Sequence, residues 1–167
     1  MRSSARLSTP VGDLLAIADG ENITHLLFAD GEQAASLPPL PPTDEARFDE
    51  LRTQLESYFA GDRTQFDLKL APPGTDFQRR VWSELERIPF GETISYGELA
   101  NRIGSPKAVR AVGGANNKNP IPIVIPCHRV VGKNNTLVGY GGGLDRKHAL
   151  LRLEGAELAA QLRLEGF

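Results

Sequence analysis

The stretch PIPIVIPCHRVVG, residues 120–132, holds the only cysteine of the 167-residue chain, Cys127, followed directly by His128 and Arg129. A thiol attacks as its thiolate, and a neighbouring imidazole and guanidinium both favour that form. The run Ile121–Ile125 reads as buried and extended. Pro126, without an N–H, would end its pairing and present Cys127 at a bend. Side chains next to each other on an extended segment face opposite ways, so His128 would reach the thiol through the bend or through a water. A base of this kind needs an orienting acceptor, and Glu154, at the end of a helix starting near Asp145, is a candidate for that task. The competing reading is an inert cysteine packed in a core.

Positioning these groups requires a scaffold, and its signals divide the chain. RLSTPVGDLLAIADGENITHLLFADGE (6–32) reads as two or three short strands with turns at Pro10–Gly12, Asp19–Gly20 and Asp30–Gly31. A proline-rich connector, 36–50, leads into a helix over 44–61 with Gly61 at its end. A second break, LKLAPPGTD (68–76), separates this part from a helical one. There TDFQ (75–78) is a capping box, and the apolar spacing predicts a helix running to Ile88. SYGE (95–98) is another capping box. Gly104 closes the helix it opens, and Ser105–Pro106 would cap and start the next. Two helices over about 95–103 and 106–117 joined by so tight a turn have helix-turn-helix spacing. The expectation is an α+β protein with an N-terminal domain over 1–72 and a C-terminal domain over 73–167.

The second of these helices, PKAVRAVGGANNK, is thin: Ala108, Ala111, Gly113, Gly114 and Ala115 leave Arg110 as the one long charged side chain among small ones. Glycines there weaken a helix by about 1 kcal/mol each. Small residues let a backbone approach another surface closely, either a partner's or the protein's own.

Charge points the same way. Residues 1–72 carry six Lys and Arg against twelve Asp and Glu, whereas 99–153 carry nine basic residues and one acid, Asp145. That local field attracts a polyanion despite a net charge of −2, although a solvated basic face is the alternative. One cysteine forms no internal disulfide, and no stretch approaches the about 18 apolar residues of a membrane span. A cytoplasmic protein with no membrane partner is the simplest reading. No H-E-x-x-H or C-x-x-C spacing supports a metal site. The segment NNTLVGYGGGLD (134–145) lacks a phosphate-loop pattern and reads as a flap with Tyr140 as an aromatic wall.

These stretches together resemble the O6-alkylguanine-DNA alkyltransferases. FQRRVW (77–82), SYGELA (95–100), SPKAVRAVGGANNKNPIPIVIPCHRV (105–130) and GYGGGLDRKHALLRLEG (139–155) occur in the family's order over 75–155. The resemblance implies a ribonuclease H-like N-terminal domain and a winged-helix/helix-turn-helix C-terminal domain that binds duplex DNA in the minor groove. It implies a single-turnover transfer of the alkyl group from O6-alkylguanine to Cys127, with His128 as base through a water, Glu154 holding it, and Asn119 shaping the site. Arg110 would enter the base stack where the lesion swings out. Tyr96 would favour that flipping and hydrogen-bond guanine N3. Val130, Tyr140, Gly141 and Pro122 would line the guanine pocket, and Gly97, Ser105, Ala111 and Gly114 would complete the DNA contacts. No cofactor is implied, and the protein would act as a monomer, with cooperative assembly on DNA open. Some members bind zinc through cysteines and histidines of the N-terminal domain; this chain has no cysteine there, so no such zinc is expected. Gly141 stands where the family can carry serine, so the hydroxyl is lost and its backbone N–H kept. Two other readings remain: a Cys–His hydrolase with repeated turnover, and a non-catalytic helix-turn-helix regulator that needs only the basic half.

Overall fold

The structure, a computed structural model, describes residues 1–133 and 137–156, so the start of the expected flap, 134–136, lies outside the described residues. The chain divides into two compact units, Met1–Pro73 and Gly74–Phe167.

In the first unit β1 (Arg2–Leu7), β2 (Leu14–Asp19) and β3 (Asn22–Phe28) form an antiparallel meander in the order β1-β2-β3. The hairpin between β2 and β3 turns at Gly20, whose φ of +60° suits glycine. Both sheet edges are occupied. The proline-rich segment pairs with β1 through Ser4 and Thr43, and Leu70 pairs with β3 through Ile23. Prolines confine a segment to such an edge. A short helix α1 (Glu32–Ala35) follows the sheet. The helix expected over 44–61 is a 3-10 turn, Glu45–Phe48, capped by Asp44, and then α2 (Asp49–Phe59), which buries Leu51, Leu55 and Tyr58.

The second unit is mainly helical: α3 (Asp76–Leu85), α4 (Tyr96–Arg102), α5 (Val109–Asn117) and α6 (Leu144–Leu153), with β4 (Ile94–Ser95) parallel to β5 (Val130–Val131). Thr75 and Gln78 form the full capping box of α3. Ser95 caps α4 by accepting from the Glu98 N–H, but the Glu98 carboxylate turns to Arg102, so the second box is half made. The Trp82 indole N–H donates to the Ala115 carbonyl at 2.8 Å and ties α3 to α5.

Two local expectations are corrected. Ser105–Pro106 do not start α5: the helix begins at Val109 without a side-chain cap. The reason lies at the end of α4. Gly104, at φ +76°, donates to the Asn101 carbonyl and Ser105 donates to Ala100, and this Schellman pair uses up the Ser105 amide. The chain then needs one more turn, closed by the Ala108 N–H on the Ser105 carbonyl.

The run Ile121–Ile125 is buried as expected but is a turn, not a strand. Prolines 120, 122 and 126 remove three donors from any ladder. The Asn119 carboxamide replaces it, accepting from the Ile121 N–H at 2.9 Å and donating to the Ile125 carbonyl at 2.8 Å. Ile123 inside this bracket has φ +75°, a conformation a β-branched residue adopts at a cost of about 1–3 kcal/mol.

Candidate active site

Cys127 opens a 3-10 helix, Cys127–Arg129, rather than following an extended strand, so His128 is turned away from the strand alternation expected of it. Cys127 is 4% exposed, yet its surroundings are not hydrocarbon alone. Burial pushes the thiol up, while the nearby Asn119 carboxamide, the positive charge of Lys147 and the Tyr140 hydroxyl oppose that rise.

The structure brings His128 and Glu154 together as the sequence predicts. His128 Nε2 lies 2.8 Å from Glu154 Oε2. The Glu154 carboxylate also accepts from Arg129 Nε at 2.8 Å and Nη2 at 3.0 Å. Arg129 is in turn held by the Ile88 carbonyl at 2.6 Å and lies over the Phe90 ring. Burial alone would raise the Glu154 carboxyl, but the bonds and charges of His128 and Arg129 outweigh it and hold the group well below the usual carboxylate range. An ionised carboxylate only accepts, so Nε2 carries the proton and Nδ1 is left as the basic nitrogen. Nδ1 is buried without a partner among the described residues. Burial lowers the imidazole, Glu154 raises it, and Arg129 and Lys147 lower it again, so the net direction is down.

Tyr96, the first residue of α4, lays its ring across Gly113 of α5, where an added Cβ would stand 3.8 Å from the ring. Its hydroxyl approaches the Gly139 carbonyl at 3.4 Å. Lys147 was not anticipated. It is fully buried, donates to the Val138 and Gly139 carbonyls at 2.6 and 2.9 Å, and sits 5.8 Å from the Tyr96 ring centroid. Burial lowers its ammonium from 10.5 to about 8, against a smaller upward pull from Cys127. The signal was there: Lys147, Leu150, Leu151 and Glu154 recur at helical spacing on one face of α6.

Of the remaining predicted residues, Asn119, Pro122 and Val130 are buried, Tyr140 is half-buried and Gly141 is exposed. A Cβ on Gly141 would come within 3.2 Å of the Asn117 carbonyl, so serine there requires the loop to give slightly. Arg110, Ala111 and Gly114 all lie on the exposed face of α5, and nothing stands within 4 Å of a Cβ placed on Gly114. Gly97 and Ser105 are half-buried. Ala111 and Gly114 of the thin helix are therefore turned outward, while Gly113 and Ala115 serve internal packing.

Two family models match the chain. Residues 5–72 match the ribonuclease-like domain of 6-O-methylguanine DNA methyltransferase, and residues 76–156 match its DNA-binding domain. A methylated-DNA–protein-cysteine methyltransferase of Methanosarcina acetivorans is 50% identical over 91% of this chain and 97% of its own. The Mycobacterium tuberculosis protein of the same name is 48% identical over 95% of each. A crystal structure of the M. tuberculosis protein in complex with DNA superposes with a TM-score of 0.84 at 46% identity, covering 98% of both chains. With both units matched in order and half the residues shared with full-length relatives, the chain belongs to the 6-O-methylguanine DNA methyltransferase family.

Proposed function

We propose that this protein repairs DNA by moving the alkyl group of O6-alkylguanine, in duplex DNA, onto Cys127 in a single turnover. The observation that carries this reading is the His128–Glu154 pair: it leaves Nδ1 as an unpartnered base on the residue that follows the chain's one thiol. His128, through a water, takes the thiol proton. Sulfur then attacks the alkyl carbon in line, the S–C bond forms, and the C–O6 bond breaks with its electron pair going to guanine. Tyr96 hands a proton to N3 of the departing base and is reprotonated from solvent, so the products are a thioether and neutral guanine. A thioether is not reversed by thiol exchange, and the protein is consumed.

The outward face of α5, with Arg110, Ala111 and Gly114, suits a minor groove, and Arg110, exposed on it, would fill the stack vacated by an everted base. Gly97 and Ser105 would add backbone contacts. Val130, Tyr140, Gly141 and Pro122 would enclose the guanine, with Asn119 setting the loop before Cys127. In this reading 1–72 is the accessory domain and 73–167 carries DNA binding and transfer. The protein acts as a cytoplasmic monomer without a cofactor.

Intact-protein mass after mixing with a duplex containing O6-methylguanine tests the proposal. The expected result is a gain of one methylene per chain, on Cys127, with Cys127→Ala inert yet still binding duplex. Product accumulating past one equivalent would favour a hydrolase. No mass gain in the wild type, with duplex binding equal in wild type and Cys127→Ala, would leave only a DNA-binding regulator.

A further inference from the structure

The first unit holds a cavity that the proposed repair reaction does not use. It lies between the β1–β2 turn and α2 and has a volume of about 210 Å³. An apolar cavity of about 150 Å³ is already enough for a benzene ring. The α2 wall is one helix face, since Arg52, Leu55, Glu56 and Phe59 stand at i, i+3, i+4 and i+7. Leu7 and Leu55, 3% and 2% exposed, close the inner end, and Pro10 and the half-buried Phe59 line it further out. The turn opposite α2 is braced: the Thr9 hydroxyl donates to the Gly12 carbonyl at 2.6 Å and accepts from the Val11 N–H at 3.1 Å. The wall that carries Pro10 is therefore preformed, as small-molecule sites usually are.

Charge at the rim is unbalanced. The Arg52 guanidinium is taken by Glu45 at 2.7 Å and Asp49 at 3.1 Å. Glu56, one turn on, makes no ion pair among the described residues, and residues 1–72 around it carry twelve Asp and Glu against six Lys and Arg. An apolar slot beside an uncompensated carboxylate in a negative field favours a cation with a hydrocarbon body. We propose that this pocket binds a small primary amine carrying an aromatic or branched apolar group, with that group between Leu7, Pro10, Leu55 and Phe59 and the ammonium on the Glu56 carboxylate. A neutral analogue forfeits the ion pair. A free amino acid brings a second carboxylate to Glu56, and the Arg52 guanidinium needed to offset it is already engaged by two others.

The experiment titrates the isotope-labelled full chain with phenethylamine, phenethyl alcohol or phenylalanine at neutral pH and follows the backbone amide resonances. Phenethylamine is expected to shift amides of the β1–β2 turn and α2 saturably, with a Kd of about 1 mM. Phenethyl alcohol should bind about threefold more weakly, and phenylalanine more weakly again. Glu56→Gln, at an exposed position, should remove the difference between amine and alcohol, whereas Phe59→Ala should weaken both alike. The absence of a saturable shift with phenethylamine up to about 10 mM overturns the inference. So do shifts that lie away from the turn and α2, an alcohol that binds wild type as tightly as the amine, or phenylalanine binding tightest of the three. An amine preference that survives Glu56→Gln overturns it as well. The titration involves no alkyl transfer, so its failure and the failure of the proposed repair reaction are separate results.

Discussion

His128 Nε2 and Glu154 Oε2 are 2.8 Å apart with neither side chain exposed to solvent, so the tautomer of the imidazole is set by a carboxylate that can only accept. Arg129 supplies two further donors to Glu154 and keeps that carboxylate ionised in a buried place. The three residues act as one unit whose output is a lone pair on Nδ1.

Glu154→Gln tests that unit. A carboxamide can offer its NH2 to Nε2, which moves the proton to Nδ1 and removes the base while keeping shape. Single-turnover transfer should fall by about 10²–10⁴-fold, with duplex binding unchanged. A loss below about threefold would mean that His128 is not the base.

The pH profile follows from two opposite displacements. Burial raises Cys127 above its ordinary value of 9.0 and lowers His128 below 6.5, so at neutral pH the free protein holds a thiol and a neutral imidazole. With thiol and neutral imidazole as the resting pair, the thiol proton passes to His128 within the site and no hydroxide from solvent is needed. Transfer rates should stay level across neutrality and fall on the acid side only below the usual imidazole range, where His128 takes up a proton. A rate that climbs steadily with pH through neutrality would mean that free thiolate reacts without help from His128.

Lys147 makes a separate prediction about stability. Its ammonium titrates at about 8 in the fold against 10.5 when free. Between those values the unfolded chain binds more protons than the folded one, so raising the pH across this window stabilises the fold. The full displacement corresponds to about 3 kcal/mol. Lys147→Met removes the titration. Urea unfolding at about pH 7.5 and about pH 10 should therefore shift in favour of wild type relative to the variant at the higher pH. A wild-type advantage that shrinks as pH rises would contradict the assigned direction.

Local chemistry was legible in the sequence where the deciding partner lay within a few residues. The Thr75–Gln78 box, the end of α4 at Gly104 and the apolar face of α2 are all of this kind. The loop before Cys127 was not, because apolar content describes burial but not conformation. The Asn119 side chain, taking over a backbone's hydrogen bonds, bends that loop into a turn. Glu154 could be named from afar because an imidazole base needs an acceptor. The burial of Lys147 and the buried partners of Arg129 could not, since charge argues for the surface and only the assembled site provides carbonyls to meet them. Helical register was the available hint in the case of Lys147.

The last prediction separates eversion of the base from chemistry on it. Arg110 is exposed on α5 between Val109 and Ala111, beside the open surface of Gly114. A long cation on so thin a face can either grip phosphates or replace a base in the stack, and the two roles respond differently to substrate. Flipping costs a few kcal/mol, which a free O6-alkylguanine base never has to meet. Arg110→Ala should therefore slow transfer from duplex by about a hundredfold while leaving reaction with the free base within about twofold of wild type. Lys118→Ala serves as the contrast. Lys118 follows α5 directly and is exposed, so as a phosphate contact it should weaken duplex binding modestly and lower the salt slope by about one. Should Arg110→Ala slow both substrates alike, the arginine acts on the reacting groups or on the fold, and the eversion role is lost.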